Sequence, residues 1–473
     1  MCGIVGIQSN KPIIDDLITS MYGIQHRGQD ASGISLVGNA HEIHTYKSMG
    51  LFSKLLEEKK WDINVTKNAT IGLGQVRYPT IGSNTIEEAQ PFTYSDTELS
   101  ISIAHNGNIM NVAELEEYVR REYHYELKTK SDLEYIYAIF VNEYTRHHDI
   151  AQAFQTINRL LIGSYSVIGI VNGELFGYRD SFGIRPLLLG KDRDACMFSS
   201  ESTVFDLLGI REFSDVAPGT LITIKDGKIT EHTITESQKR TCFFEWIYFS
   251  STSSTLENAN VYDVRYKLGE LIAKKYVLPD LVKKEIHIDL IAPVPDSSRP
   301  ASAGAQAALH IPYGEVLLKN RYFQRTFIMT DTEGSRTKAL RHKLQALRSQ
   351  VEGKSILLVD DSIVRGHTSK RIISILKEAG ATNIYFMVIC PPIAHPCFYG
   401  IDIPDANELI ANRKSIDEIT KMIGADKVYY PTMEEVYTVL GHKKLCSACV
   451  DADYPTELRG TDNFVTRRKA ERC

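Results

Sequence analysis

The chain has no apolar run near the roughly 18 residues that a membrane-crossing helix needs, so a helical membrane protein is excluded. It also lacks a basic excess. Among 473 residues, 54 Lys and Arg stand against 59 Asp and Glu, a formal charge of -5. No nucleic-acid partner is expected, because such proteins carry a positive stripe or tail. Cysteine is sparse, 8 in all, and spread too widely for the disulfide framework of a small secreted domain, which leaves thiol chemistry or metal binding. Met1 is followed directly by CGIVGI, without the basic start, apolar middle and cleavage site of a secretory leader. A cytoplasmic location is therefore expected. No internal repeat is found, and low complexity is confined to SSTSST at 250–255, read as a loop.

What is present is a globular composition, 43% hydrophobic and 24% charged, in a chain long enough for two or three domains. Residues 1–235 alternate short β-rich runs with a few helices. SYSVIGIV and GELFGYRD flank an Asn172-Gly173 turn, TLITIKDGKIT reads as another hairpin, and 111–123 and 132–144 carry apolar residues at helical spacing. Layered antiparallel sheets with helices on their faces, an α+β domain, follow from that pattern. Over residues 236–473 the pattern changes to strand IDLIAPV, a helix from Arg299, strand SILLVD, a helix from Thr368 to Ala379 stopped by Gly380, and strand NIYFMVIC. Strands alternating with helices predict an α/β domain with a parallel, doubly wound sheet.

Cys2 becomes the first residue when Met1 is removed, and its own α-amine, with an ordinary pKa of about 7.7 to 8.0, then serves the thiol as a built-in general base. Thiolate attack on a carboxamide puts negative charge on oxygen, so donors must already point at that oxygen. Asn106 and Gly107 in AHNGNI suit this role, and an Asn-Gly pair is also by default a hairpin turn; here a turn would project the Asn106 amide and leave the Gly107 N–H free. Glutamine adds a carboxylate and an ammonium, which call for a guanidinium and an acid. Arg77 in QVRYPT and Asp132 in SDLE are the candidates. Their plain alternatives are a strand-end surface arginine and a helix N-cap, and capping is also compatible with a second job for Asp132.

Together MCGIVGI, HRGQDASG, VRYPT, HNGNI and SDLE resemble the class II, N-terminal-nucleophile glutamine amidotransferases, and DSFGIRPL and SSES extend the match across the first half. The resemblance implies an αββα sandwich, Cys2 as nucleophile, Asn106 and Gly107 as oxyanion hole, and Arg77, Asp132 and Gly28 holding glutamine. Members of that family feed ammonia to different acceptors, so the second half decides the reaction.

There, ILLVDDSIVRGHTS at 356–369 is a strand that delivers two acids, a loop of small residues and a helix start. Backbone N–H groups with the hydroxyls of Ser362, Thr368 and Ser369 can cradle a phosphate at the helix N-terminus. Asp360 and Asp361 can reach ribose hydroxyls directly or through Mg²⁺, although a lone Asp-Asp at a strand end is more often turn chemistry. APVPDSSRPAS at 292–302 ends at the same sheet edge, where open α/β folds place ligands. Lys319, Arg321, Arg325 and Arg336 form a basic loop able to meet phosphate charge.

The fourteen-residue string resembles the signature of phosphoribosyltransferases. With the first half it is similar, over nearly the whole chain, to the glutamine phosphoribosylpyrophosphate amidotransferases. That resemblance implies binding of phosphoribosyl pyrophosphate by Asp360, Asp361, Ser362, Arg365, Gly366, Thr368, Ser369, Lys319, Arg321 and Arg325, with Mg²⁺ held at Ser297, Asp360 and Asp361. It also implies internal passage of ammonia, a homo-oligomer, and feedback by purine nucleotides. The chain departs from the family's usual pattern at Trp246, Thr330, Gln345 and His367, in one extra residue before Arg336, and in the SSTSST segment. Four thiols, Cys242, Cys397 and the C-x-x-C pair Cys446 and Cys449 on a late loop, suit an iron-sulfur cluster or zinc. Resemblance to the iron-sulfur branch favours a structural 4Fe-4S cluster on those four, leaving Cys196, Cys390 and Cys473 as ordinary cysteines. Two rivals stand beside this reading: an amidotransferase with another acceptor, which would need a sugar isomerase domain in the second half, and a phosphoribosyl pyrophosphate sensor without turnover.

Overall fold

The computed structural model describes residues 2–58, 61–79, 84–319 and 344–472. Met1 and the basic-loop positions Arg321, Arg325, Thr330 and Arg336 lie outside them.

The first half is built on two antiparallel sheets. In the seven-stranded sheet Gly3–Ser9 is central, flanked by Ala195–Ser199 and Ile71–Arg77, with Ala31–Val37 beyond the latter. In the six-stranded sheet Ser100–Ile109 lies between Phe92–Ser95 and Gly163–Val171. Successive side chains of a strand point to opposite faces, and here both faces are covered. Ile4 and Leu73 of one sheet meet Ala104, Ile168, Ile170 and Leu175 of the other in a dry layer. Val5 and Ile7 face the opposite way and belong to the core that includes Leu17 and Met21 of helix Ile14–Gly23. Helices Leu133–His147 and Ile150–Leu160 cover the second sheet through Ile136, Phe140, Phe154 and Ile157. Burial on two faces explains the near-continuous apolar runs such as SYSVIGIV. The Asn172-Gly173 turn is present, both residues having positive φ (47° and 79°).

The second half carries a four-stranded parallel sheet of Leu290–Pro293, Ser355–Asp360, Asn383–Val388 and Lys427–Tyr429. These strands follow one another across the sheet in chain order. On the side of Leu290–Pro293 away from Ser355–Asp360 the chain returns to bridge in parallel, Ile291 facing Tyr313, with the Ile291 N–H donating to the Pro312 carbonyl at 2.9 Å and the Gly314 N–H donating to the Ile291 carbonyl at 3.0 Å, which is the reversal of direction expected of a doubly wound sheet. Helix Arg299–Leu309 follows the first strand, and helix His367–Glu378 follows the second, ending before Gly380 at φ 99°. Leu357, Leu358, Phe386 and Met387 are fully buried, and the C-terminal ends of the strands carry the polar loops.

Candidate active sites

Cys2 stands just before the central strand of the first sheet, 8% exposed, with its Sγ 3.6 Å from the carbonyl oxygen of Tyr78. Arg27 Nε donates to the Cys2 carbonyl oxygen at 3.0 Å. Gly28 sits on the end of the strand that carries Arg77. A Cβ there would lie 2.6 Å from backbone atoms of Val76 and Arg77, so only glycine permits this approach. Arg77 is buried and pairs with Glu88 at 3.0 Å.

Asp132 accepts from the Ile109 N–H at 3.2 Å and lies 3.4 Å from His105 Nε2. Burial pushes its carboxyl up, but His105, the Ile109 N–H and Arg77 outweigh burial and hold it below the ordinary carboxylate range. Asp132 is thus ionised and electrostatically linked to Arg77, as a receptor for the two charged ends of an amino acid requires. It does not cap the helix that begins at Leu133. Its side chain turns to Ile109 instead, because a buried carboxylate is better served by the strand's N–H and His105 than by helix N–H groups already paired.

Asn106 and Gly107 do not form a turn. Both lie within strand Ser100–Ile109, opposite Ser166 and Tyr165. The neighbouring strand passes so close that a Cβ at Gly107 would be 2.0 Å from the Ser164 carbonyl oxygen. Glycine is required here by close approach, a signal indistinguishable in sequence from a turn glycine. Asn106 is 1% exposed, and its Nδ2 has no hydrogen-bond partner among the described residues. A buried amide donor left unsatisfied is costly, and this one lies on the residue next to His105, which faces Asp132.

At the second site the strand Ser355–Asp360 delivers the two acids. Ser297 Oγ donates to Asp361 Oδ1 at 2.6 Å, Ser362 Oγ donates to Asp361 Oδ2 at 2.6 Å, and Ser298 Oγ donates to Asp360 Oδ1 at 3.3 Å. Burial, reinforced by the neighbouring Asp361, pushes Asp360 well up; burial also raises Asp361, opposed by its serine donors and Arg265. Two buried acids that resist joint ionisation call for a cation or for a ligand rich in hydroxyls. Among the described residues no group of three or more His, Cys, Asp or Glu side chains is set to hold a metal ion unaided. The buried acid pair with its serine neighbours fits Mg²⁺, which takes one or two carboxylates and completes its shell with water and substrate oxygens. Gly366 precedes helix His367–Glu378, with Thr368 exposed and Ser369 buried in its first turn. Arg365 pairs with Glu408, and Lys319 reaches Asp296 at 3.3 Å.

Cys242, Cys397, Cys446 and Cys449 are all buried and free of disulfides. Cys242 and Cys446 face each other in a short parallel pairing, and the Cys449 carbonyl accepts from Ala394 and His395 just before Cys397. The C-x-x-C pair lies on a short strand and a short helix, Leu445–Cys446 and Ala448–Asp451, rather than on a loop. Burial raises the Cys449 thiol well above its usual value, and Cys397, Cys390, Cys242 and Cys446 add to it in that order. Burial likewise raises Cys242 to about 11, against the pull of Arg185.

Sequence reasoning missed the buried charges that join the two halves. Arg27 donates to Glu201 at 2.5 Å and to both oxygens of Glu245 at 3.1 Å. Arg185 also reaches Glu245 at 3.1 Å. Arg27, Arg185 and Glu201 sit inside motifs singled out above, yet no spacing links them to Glu245.

A glutamine amidotransferase domain model matches residues 79–206. The amidophosphoribosyltransferase of Methanothermobacter thermautotrophicus is 38% identical over 463 residues, covering 97% of this chain and 95% of that one. The Escherichia coli amidophosphoribosyltransferase is 37% identical over 455 residues, covering 92% and 88%. Among solved structures, the glutamine phosphoribosylpyrophosphate amidotransferase of B. subtilis in complex with ADP and GMP superposes with a TM-score of 0.87 at 33% identity, covering 97% of this chain and 98% of that one. With a buried cysteine at the head of a central strand, a paired-acid loop and full-length similarity of this order in one polypeptide, the chain belongs to the amidophosphoribosyltransferase family.

Proposed function

We propose that the chain transfers ammonia from glutamine to phosphoribosyl pyrophosphate, giving 5-phosphoribosylamine, glutamate and pyrophosphate, the first step of purine biosynthesis. Residues 1–235 form the glutaminase and residues 236–473 the phosphoribosyltransferase. The observation that carries this reading is the presence in one chain of a buried Cys2 against the Tyr78 carbonyl, of Arg77, next in the chain to Tyr78, linked electrostatically to Asp132, and of the Ser297–Asp361–Asp360 cluster.

In the first site Arg77 takes the carboxylate of glutamine, Asp132 its ammonium, and Gly28 leaves room for the chain beside them. The Cys2 thiol, its proton taken by the α-amine freed when Met1 is removed, attacks the carboxamide carbon. Asn106 Nδ2 and the Gly107 N–H receive the developing oxyanion. Ammonia leaves with the proton, and water activated by the same amine releases glutamate.

In the second site Ser362, Gly366, Thr368 and Ser369 hold the 5-phosphate at the helix start, with Arg365, Lys319, Arg321 and Arg325 completing the anion site. Asp360 and Asp361 orient the ribose hydroxyls. Ser297, Asp360 and Asp361 would hold Mg²⁺, which would supply charge neutralisation for the pyrophosphate. Ammonia forms the new bond to the anomeric carbon from the face opposite pyrophosphate as the bond to pyrophosphate breaks.

The four gathered thiols support a structural 4Fe-4S cluster on Cys242, Cys397, Cys446 and Cys449. Buried thiols ionise only with a strong counter-charge, which such a cluster would supply. Purine nucleotides are the proposed feedback inhibitors, supported by the ADP and GMP in the B. subtilis relative. A homo-oligomer in the cytoplasm completes the reading; no helix of the described residues is long and apolar enough to cross a membrane. The test is Cys2→Ala. Synthesis with free ammonia persists and synthesis with glutamine is lost; loss of both together refutes the division of labour.

A further inference from the structure

We propose that Glu201 is a positioning residue for Cys2, and that the SSTSST segment is the clasp by which the second half of the chain holds it. This rests on the reading of Cys2 as the glutaminase nucleophile. One Glu201 oxygen accepts from Arg27 Nη1 at 2.5 Å and faces His26 Nε2 at 2.8 Å. The other accepts from the Ser251 N–H and from Ser254 Oγ, both at 2.8 Å. Arg27 then donates through Nε to the Cys2 carbonyl oxygen at 3.0 Å. Glu201 and Ser254 are fully buried and Arg27 is 4% exposed. The carboxylate is therefore saturated by donors from both halves, and the nucleophile's backbone takes its position from a group that residues 251–254 hold in place.

The rest of the segment repeats the pattern. The Thr255 N–H donates to Ser202 Oγ at 2.7 Å, Ser253 Oγ is 2.8 Å from Thr203 Oγ1, and Ser250 Oγ donates to Glu245 at 2.9 Å. The Ser250 carbonyl accepts from Arg265 Nη2 at 2.9 Å, and Arg265 Nη1 lies 3.5 Å from the Ser297 carbonyl oxygen, one residue's length from the Ser297–Asp361 hydrogen bond. Small hydroxylated residues suit this run because only short donors fit around a buried carboxylate without displacing it.

The full-length protein carrying Ser254→Ala, and separately Glu201→Gln, distinguishes a positioning role from a structural one. Glutamate release, ammonia-dependent pyrophosphate release and thermal melting are measured on each. Because displacement of a reacting group by 1 Å can cost about 100-fold, Ser254→Ala lowers kcat for glutamine hydrolysis roughly ten-fold and Glu201→Gln about 100-fold. KM for glutamine and the ammonia-dependent rate change less than about two-fold. The inference is overturned if glutamine hydrolysis by Ser254→Ala stays near the parent rate, or if both activities fall in parallel. Absence of glutamine hydrolysis from the parent protein would instead overturn the reading of Cys2, and the inference with it.

Discussion

Asn106→Ala separates a poised catalytic donor from a structural one, because the two roles predict opposite effects on stability. The side chain is 1% exposed and its Nδ2 bonds to nothing among the described residues. An unsatisfied buried donor costs the folded protein about 1 to 3 kcal/mol. Its removal offsets the packing lost with the side chain, so the melting temperature moves by no more than roughly 3 °C. In the reaction the same donor meets the oxyanion. Loss of one such donor typically costs about 10² to 10³ in kcat, or about 2.7 to 4 kcal/mol. Glutamate release under saturating glutamine should fall by that factor with KM nearly unchanged, since the interaction exists only in the transition state. Ammonia-dependent pyrophosphate release should be untouched. Asn106→Asp, which keeps the shape and replaces the donor by an acceptor, should be at least as inactive. A variant that melts far below the parent, or that keeps glutaminase activity within a few-fold, would refute the assignment.

Other consequences can be checked in the same preparations. Asp361→Asn abolishes pyrophosphate release with either nitrogen donor while glutamine hydrolysis persists, and removal of charge beside Asp360, whose carboxyl burial already pushes up, raises the melting temperature at pH 7.5. Asp215, raised to about 6 first by burial and then by Glu257, binds its proton more tightly in the folded than in the unfolded chain. Its ionisation therefore costs stability progressively as pH climbs from the ordinary carboxylate range through about 6. Asp215→Asn should accordingly raise the melting temperature at pH 7.5 and leave it unchanged near pH 4; equal shifts at both pH values would contradict this. Cys446→Ser should lose iron, acid-labile sulfide and brown colour, whereas Cys390→Ser keeps them, and stoichiometric zinc in the parent would replace the cluster reading.

Much of the architecture was legible because the strands are buried on both faces and therefore apolar throughout, and because Asn172-Gly173 and Gly380 punctuate it plainly. The doubly wound arrangement was legible too, because strand–helix alternation places successive parallel segments on both flanks of Leu290–Pro293, at Tyr313 and at Ser355–Asp360. At the sites the reach of the sequence was shorter. Cys2, Asp360 and Asp361 stand in local strings whose chemistry is readable in line. Asn106 and Gly107 suggest a turn because an Asn-Gly pair carries the same letters whether glycine supplies positive φ or tolerates a neighbouring strand. Asp132 suggests a cap because no local pattern shows that Ile109 and His105 claim its oxygens. Glu201 and Glu245 lay beyond reach altogether, their partners being 174 and 218 residues away.

The placement of Glu245 bears on how such proteins can be recombined. A chimera spliced at 235/236 would take Arg27 and Arg185 from one parent and their shared carboxylate from another. Two guanidinium groups would then be entombed wherever the donor lacked a matching acid, at a cost of about 3 to 5 kcal/mol for a broken buried pair. Transplanting the ammonia-releasing module onto a new acceptor therefore means carrying the stretch from Thr241 to Thr255 along with it.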